Sequence, residues 1–267
     1  MVDSFWYHFR MFFHYFFQFL KVRLTYKLDF FLYSFTILLS NVTNLAFVWL
    51  IFEHFPHLNG WRLDEVVLIY AFSLVPFSFF NVVSWNLYRF GETQIIEGNF
   101  DRILLRPINT LFQILCESAR LESLNDAILG VILIIICTKR LQITVGPYEI
   151  ILMICCFGGA TLIFFSVFLL LTAINFWAED RVGISAPVYN MIKFGHYPIS
   201  IYHPVLRFLL TTLIPFAFVG FYPTATFLHK EEFLWWGWLT PVLGIVWFGT
   251  AYWVWNLGVR NYKSTGH

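Results

Sequence analysis

The sequence predicts an all-α integral membrane protein of six transmembrane helices, forming a single transmembrane domain over residues 1–267. Three observations carry that prediction. The chain is 59% apolar and 21% aromatic but only 12% charged, far greasier and less charged than an ordinary soluble domain. Its few charges gather in clusters that separate long charge-free stretches. Those stretches do not alternate apolar and polar residues, as barrel strands would, and helices satisfy their own backbone groups in lipid.

The spans fall at about 30–52, 66–88, 121–138, 150–175, 206–226 and 239–258. Their charge-free stretches, other than the third, reach the roughly 20 apolar residues that cross a hydrocarbon core about 30 Å thick. Little chain remains for a soluble domain. A formal net charge of +1 points to no nucleic-acid partner. With the N-terminus inside, the inner segments hold Arg10, Lys21, Arg23, Lys27, Arg89, Arg102, Arg106, Arg120, Arg181, Lys193, Arg207, Arg260 and Lys263. The outer segments hold Arg62, Lys139, Arg140 and Lys230. That asymmetry follows the positive-inside rule, so both termini are expected in the cytoplasm.

Residues 4–23 place Arg10, His14, Gln18 and Lys21 on one stripe of an otherwise aromatic helix. Such a helix is expected to lie flat at the inner interface. The leading residues lack the cleavage pattern of a signal peptide.

The first span carries Ser40, Asn41 and Asn44 near its middle. Polar groups at that depth turn toward other helices, either to hydrogen-bond across them or to line a path. The second span contains Pro76, which removes one backbone donor and should kink it. The inner segment 89–112 mixes Glu92, Glu97, Asp101, Arg102 and Arg106 with apolar Ile95, Ile96, Phe100, Ile103, Leu104 and Leu105. That composition predicts ordered structure with a greasy side. Gly98-Asn99 reads as a turn, Asp101 as the cap of a short helix and Pro107 as its stop.

The third span opens with Glu117, Arg120, Glu122 and Asp126 and has a charge-free part of only about 12 residues, roughly 18 Å of helix. Glu117 and Arg120 are spaced to pair. Glu122 and Asp126 should face protein or water near the inner side, since a charge at the bilayer centre costs about 2.5–3.5 kcal/mol on insertion scales. The cluster reads as a polar entry to a pathway or as an interfacial turn before a short span. The fourth span contains Gly158-Gly159-Ala160, suited to close helix approach. His196 and His203, in the second long inner segment, have no third ligand at metal spacing and are expected to be interfacial side chains. The fifth span contains Pro215. The outer stretch 221–238 is too apolar for an ordinary loop, and short re-entrant helices would explain it. Cys116, Cys137, Cys155 and Cys156 lack zinc spacing and read as free thiols.

No catalytic or metal motif stands out. Gly258 lies five residues before Lys263, but Tyr262 occupies the place of the second P-loop glycine. An active pump needs an energy source, and with no P-loop and few intramembrane ionisable groups the sequence favours one supplied by a partner.

Three stretches then carry a resemblance. IIEGNFDRILLRPINTLFQ (95–113) resembles the cytoplasmic signature of one branch of ABC-2-type permeases, the membrane subunits of ABC exporters. GHYPISIYHPVLRFLLTTLIPFAFVGFYPT (195–224) resembles that branch's fifth-span region, and the terminal GVRNYKSTGH is similar to its usual tail. The resemblance implies a type V exporter-like arrangement in the inner (cytoplasmic) membrane. Residues 4–23 would be an elbow helix. A cytoplasmic coupling helix would lie between spans 2 and 3, with Gly91, Glu97, Phe100, Asp101, Arg102, Arg106 and Pro107 as contacts to a separate ATPase. ATP and Mg would belong to that partner, and this chain would hold no cofactor. A second permease, identical or different, would pair with it among membrane lipids. A path between the first, second and fifth spans takes Ser40, Asn41, Asn44, Pro76, Asn81 and Pro215 as candidate lining residues. Its aromatic and Ser/Asn/Thr content suits an amphiphilic or hydrophobic cargo such as a drug, peptide or lipid. The competing readings are a passive channel or assembly scaffold and a membrane-embedded transferase using the carboxylates of the third span.

Overall fold

The computed structural model describes residues 27–116, 119–178 and 185–263. The expected elbow helix, Glu117, Arg181 and the last four residues lie outside them. Among the described residues the regular structure is helical, with one isolated bridge between Leu58 and Trp61. In chain order the α-helices are α1 (Lys27–His54), α2 (Leu63–Tyr88), α3 (Phe100–Leu104), α4 (Thr110–Cys116), α5 (Leu124–Arg140), α6 (Pro147–Ala178), α7 (Ser185–Met191), α8 (Pro204–Phe208), α9 (Phe221–Phe227) and α10 (Trp236–Asn261). Among the described residues five segments are long and apolar enough to cross a membrane, or six if a bent pair counts as one. The five contain α1, α2, α5, α6 and α10.

α6 and α10 share the most extensive helix contact of the fold. Gly159, inside the expected small-residue patch, makes it close. A Cβ there would fall 2.5 Å from the Pro241 Cα, and a Cβ on Gly244 would strike the Gly159 backbone. Without a hydrophobic drive between helices in lipid, such backbone approach supplies the packing energy. α2 lies against both α5 and α6 and runs through Pro76 as one helix. α1 packs far more loosely. Phe31, Phe35, Phe47 and Trp49 are among its exposed apolar side chains.

The stretch expected as the fifth span is bent. Residues 206–226 do not form one helix: Pro204–Leu213 and Phe216–Phe227 meet at 77°. Both ends of this pair lie near the Leu63 end of α2. The Arg207 guanidinium donates to the Ser200 carbonyl, which also accepts from Asn59, and the Phe221 ring packs on Trp61 at 5.4 Å. Between them Phe216 reaches Phe164 and Gly195. Pro215 removes a backbone donor at the bend.

The preceding segment lies along α2. Tyr189 packs on both Tyr88 and Phe77, His196 bonds Ser73, and the Ser200 hydroxyl accepts from Trp61 Nε1 at 3.0 Å. Residues 189–200 thus follow α2 from its Tyr88 half to its Leu63 end. Arg207 consequently sits near the Leu63 end of α2 and Lys193 beside the middle of that helix, between Tyr189 and His196. His196 is buried and not interfacial. His203 precedes α8 and its ring accepts from the Val205 amide.

The free cysteines behave as small apolar residues. Cys116, Cys137 and Cys156 are buried, and burial pushes the Cys116 thiol up to about 11.

Candidate functional site

Two features gather the residues singled out from the sequence. One is a cavity between helices, and the other is the ordered segment after α2.

The cavity holds about 510 Å³ and lies between α1, α2, the start of α5 and the 189–197 segment. The loose packing of α1 leaves this space open. Ser40, Asn41, Asn44 and Asn81 line it, as expected of a path. Pro76 and Pro215 are buried elsewhere and do not. The sequence reading missed Tyr70, Tyr189, Lys193, His196 and Tyr197, which line it as well. Ionisable residues inside a span were the available signal for Asp126. Lys193 and His196 gave none, because their segment reads as a connection between spans.

A chain of short hydrogen bonds crosses the cavity wall. Tyr70 Oη donates to Asn41 Oδ1 at 2.6 Å, and Asn41 Nδ2 donates to Asp126 Oδ1 at 2.6 Å. Asn41 and Asp126 are 7% and 6% exposed. The bonds join α1, α2 and α5, so each buried polar group finds the partner that burial demands. Ser73 Oγ and His196 Nδ1 add a second short bond nearby. At another part of the wall Arg120 Nη1 donates to Tyr33 Oη at 2.6 Å, and its guanidinium lies 5.2 Å from the Tyr33 ring centroid. Glu122, two residues beyond Arg120 in sequence, is buried.

The second feature begins where α2 ends. Gly91–Ile96 continues as a wide π-helical turn, Gly98 takes a φ of +70°, and α3 follows. The positive φ turns the chain sharply there, a conformation glycine adopts without steric cost. Asn99, not Asp101, occupies the position before α3, and Asp101 lies in its first turn. Phe100 is fully buried. Its ring meets Phe90, Phe176 and Tyr262 at 5.6, 5.2 and 4.9 Å. Burial, with the Asp101 carboxylate beside it, holds the Tyr262 phenol above its ordinary value. This aromatic cluster pins α3 to the ends of α6 and α10.

The seven residues expected to meet a partner therefore divide. Gly91 and Phe100 are buried, and Asp101 is half-buried. Glu97, Arg102, Arg106 and Pro107 are exposed. Ile96, Leu104 and Leu105 join them at the surface, Leu105 at 84% exposure. Arg102 is braced by Asn99 Oδ1 at 2.6 Å. The result is a short rigid helix that carries exposed apolar and cationic side chains on a buried aromatic anchor.

No group of three or more His, Cys, Asp or Glu able to hold a metal ion occurs among the described residues. No curated protein and no solved structure matches the chain. A family model described as ABC-2 family transporter protein matches residues 38–266.

Proposed function

The chain belongs to the ABC-2 family of transporter proteins, and from that premise we propose that it is the permease subunit of an ATP-driven exporter of an amphiphilic or hydrophobic substrate. Membership of this family implies partnership with an ABC ATPase in general. In this reading hydrolysis takes place in separate cytoplasmic ATPase subunits, with ATP and Mg bound there. A second permease, identical or different, completes the gate in the inner membrane. Both termini are cytoplasmic, and the Tyr88 end of α2 faces inward.

The observation that carries the reading is the pairing of the two features at a distance along one helix. α2 lines the cavity with Tyr70, Leu74, Phe77 and Asn81 and then continues directly into the segment that presents α3. A push on Leu105, Arg102 and Arg106 from an ATPase would reach the cavity through α2. The buried Phe100 anchor would transmit the same push to α6 and α10. A rigid helix docked on a rigid cluster transmits displacement that a flexible loop would absorb.

Residues 185–201 serve as the fifth crossing in this proposal. The bent pair 204–227 enters and leaves at the outer side as a re-entrant hairpin. Non-helical backbone at membrane depth is tolerated only against protein or water. The buried faces of Phe216–Phe227 support this placement.

The test is reconstitution. The chain, co-expressed with the ATPase and any second permease encoded beside it, should co-purify with them and move cargo only when the ATPase can hydrolyse ATP. Nucleotide-independent flux through the purified chain alone would favour a channel, and failure to co-purify would remove the permease reading.

A further inference from the structure

A second cavity of about 380 Å³ adjoins the first, and its chemistry is different. Its wall is mainly apolar, with Val48, Ile51, Phe52, Val66, Phe194 and Ile201. Phe47, Lys193 and Tyr197 line both cavities and mark where they meet. Both volumes lie within the range of about 300–1,000 Å³ common to small-molecule sites.

Lys193 is the informative residue at this junction. It lies in sequence between Tyr189, whose ring packs on Phe77, and His196, which bonds Ser73. That places it near the middle of the Leu63–Ser84 span. It forms no ion pair among the described residues, whose pairs lie elsewhere. An ammonium at membrane depth is costly and is retained where it meets a counter-charge or a watery path. Lys193 shares the first cavity with one carboxylate, Asp126. One oxygen of that carboxylate is already taken by Asn41.

We propose that the cargo is an acidic amphiphile: its apolar chain lies in the second cavity, its acidic group pairs with Lys193 where the cavities meet, and the rest of its head occupies the first. The assignment rests on reading the first cavity as the cargo path. The polar cavity then supplies Ser40, Asn44 and the Tyr70–Asn41–Asp126 chain to the head. Lys193 forms no ion pair with the described carboxylates, so an acidic group, and not the chain alone, is the feature it would recognise.

The experiment uses the full chain in phosphatidylcholine nanodiscs without nucleotide. The probe is a lysophosphatidic acid analogue with a photoreactive diazirine near its tail end. A second probe has the same tail on a quaternary ammonium. The acidic probe should label peptides containing 47–52 and 194–202, and the ammonium probe should not. Lys193→Glu and Lys193→Gln should each lower labelling by about tenfold, the scale of one ion pair lost. Lys193→Arg should retain it. Labelling indifferent to probe charge, or unchanged in both charge-removing variants that melt as wild type does, overturns the proposal. Displacement of the probe by inorganic phosphate alone would show a simple anion site and overturn the amphiphile assignment. Loss of ATPase co-purification would sink the permease reading without touching this result, because labelling needs neither partner nor nucleotide.

Discussion

The Asn41 side-chain amide donates to the Asp126 carboxylate at 2.6 Å and accepts from the Tyr70 hydroxyl at the same distance, so one buried asparagine fastens α1 to both α2 and α5. α1 has few other contacts, and this polar clasp stands beside the cavity it helps to form. Structure and candidate function therefore share the same residue.

Replacing Asn41 should loosen the clasp. Asn41→Ala leaves a buried carboxylate oxygen and a buried phenol without their partner, at a cost of about 1–3 kcal/mol. Detergent-solubilised protein should show a lower melting temperature than Ser40→Ala, whose side chain is exposed in the cavity. Equal melting of the two variants would show that the clasp adds nothing.

The α6–α10 crossing makes a prediction about size alone. Gly159→Leu cannot fit against Pro241 without separating the helices, and over-packing of this kind costs about 1–3 kcal/mol or more. Gly158→Ala points into open space and should be neutral. The monodisperse yield after size-exclusion chromatography separates them, and a well-behaved Gly159→Leu protein would contradict the crossing.

Within the segment after α2, anchor and surface should part company. Phe100→Ala removes a fully buried ring and is expected to destabilise by about 3–5 kcal/mol. Arg102→Ala and Leu105→Glu alter exposed side chains and should leave melting within about 0.5 kcal/mol of wild type. The same two variants should reduce substrate-stimulated ATPase activity in the assembled transporter. Unchanged stimulation would take α3 off the list of ATPase contacts.

Sidedness offers a fourth check. In a chain whose native cysteines are replaced, Arg62→Cys and Arg207→Cys should react with an impermeant maleimide from the same side of the membrane, and Leu105→Cys from the opposite side. Labelling of Arg207→Cys together with Leu105→Cys would restore 206–226 as a simple span.

Much of this fold was legible because lipid imposes a composition rule on single segments. Each of α1, α2, α5, α6 and α10 satisfies its backbone internally and is apolar along most of its length, so length and hydropathy mark it without knowledge of its neighbours. Gly159 announced a close crossing, and Gly98-Asn99 announced a turn, for equally local reasons. Residues 185–201 and 204–227 failed the same rule in opposite directions. The first carries Lys193, Gly195, His196 and two prolines, Pro187 and Pro198, yet runs along α2 because its polar groups face Ser73 and the cavity. The second is largely apolar, but protein buries Phe216, Phe221 and Phe227 while Val205, Phe208 and Leu213 of its first half stay exposed.

The candidate site divides along the same line. Ser40, Asn41, Asn44 and Asn81 were visible as polar residues in apolar stretches. That Asn41 meets Asp126, 85 positions away, was not. Nor was the burial of Phe100 beneath the surface it supports. Sequence by itself determined that this chain is a helical membrane protein and which segments are greasy enough to cross, since burial in lipid is a property of each helix alone. Only the tertiary structure decided which polar groups meet, which apolar segment is sheltered by protein, and where Lys193 stands, because those outcomes depend on contacts between segments far apart in the chain.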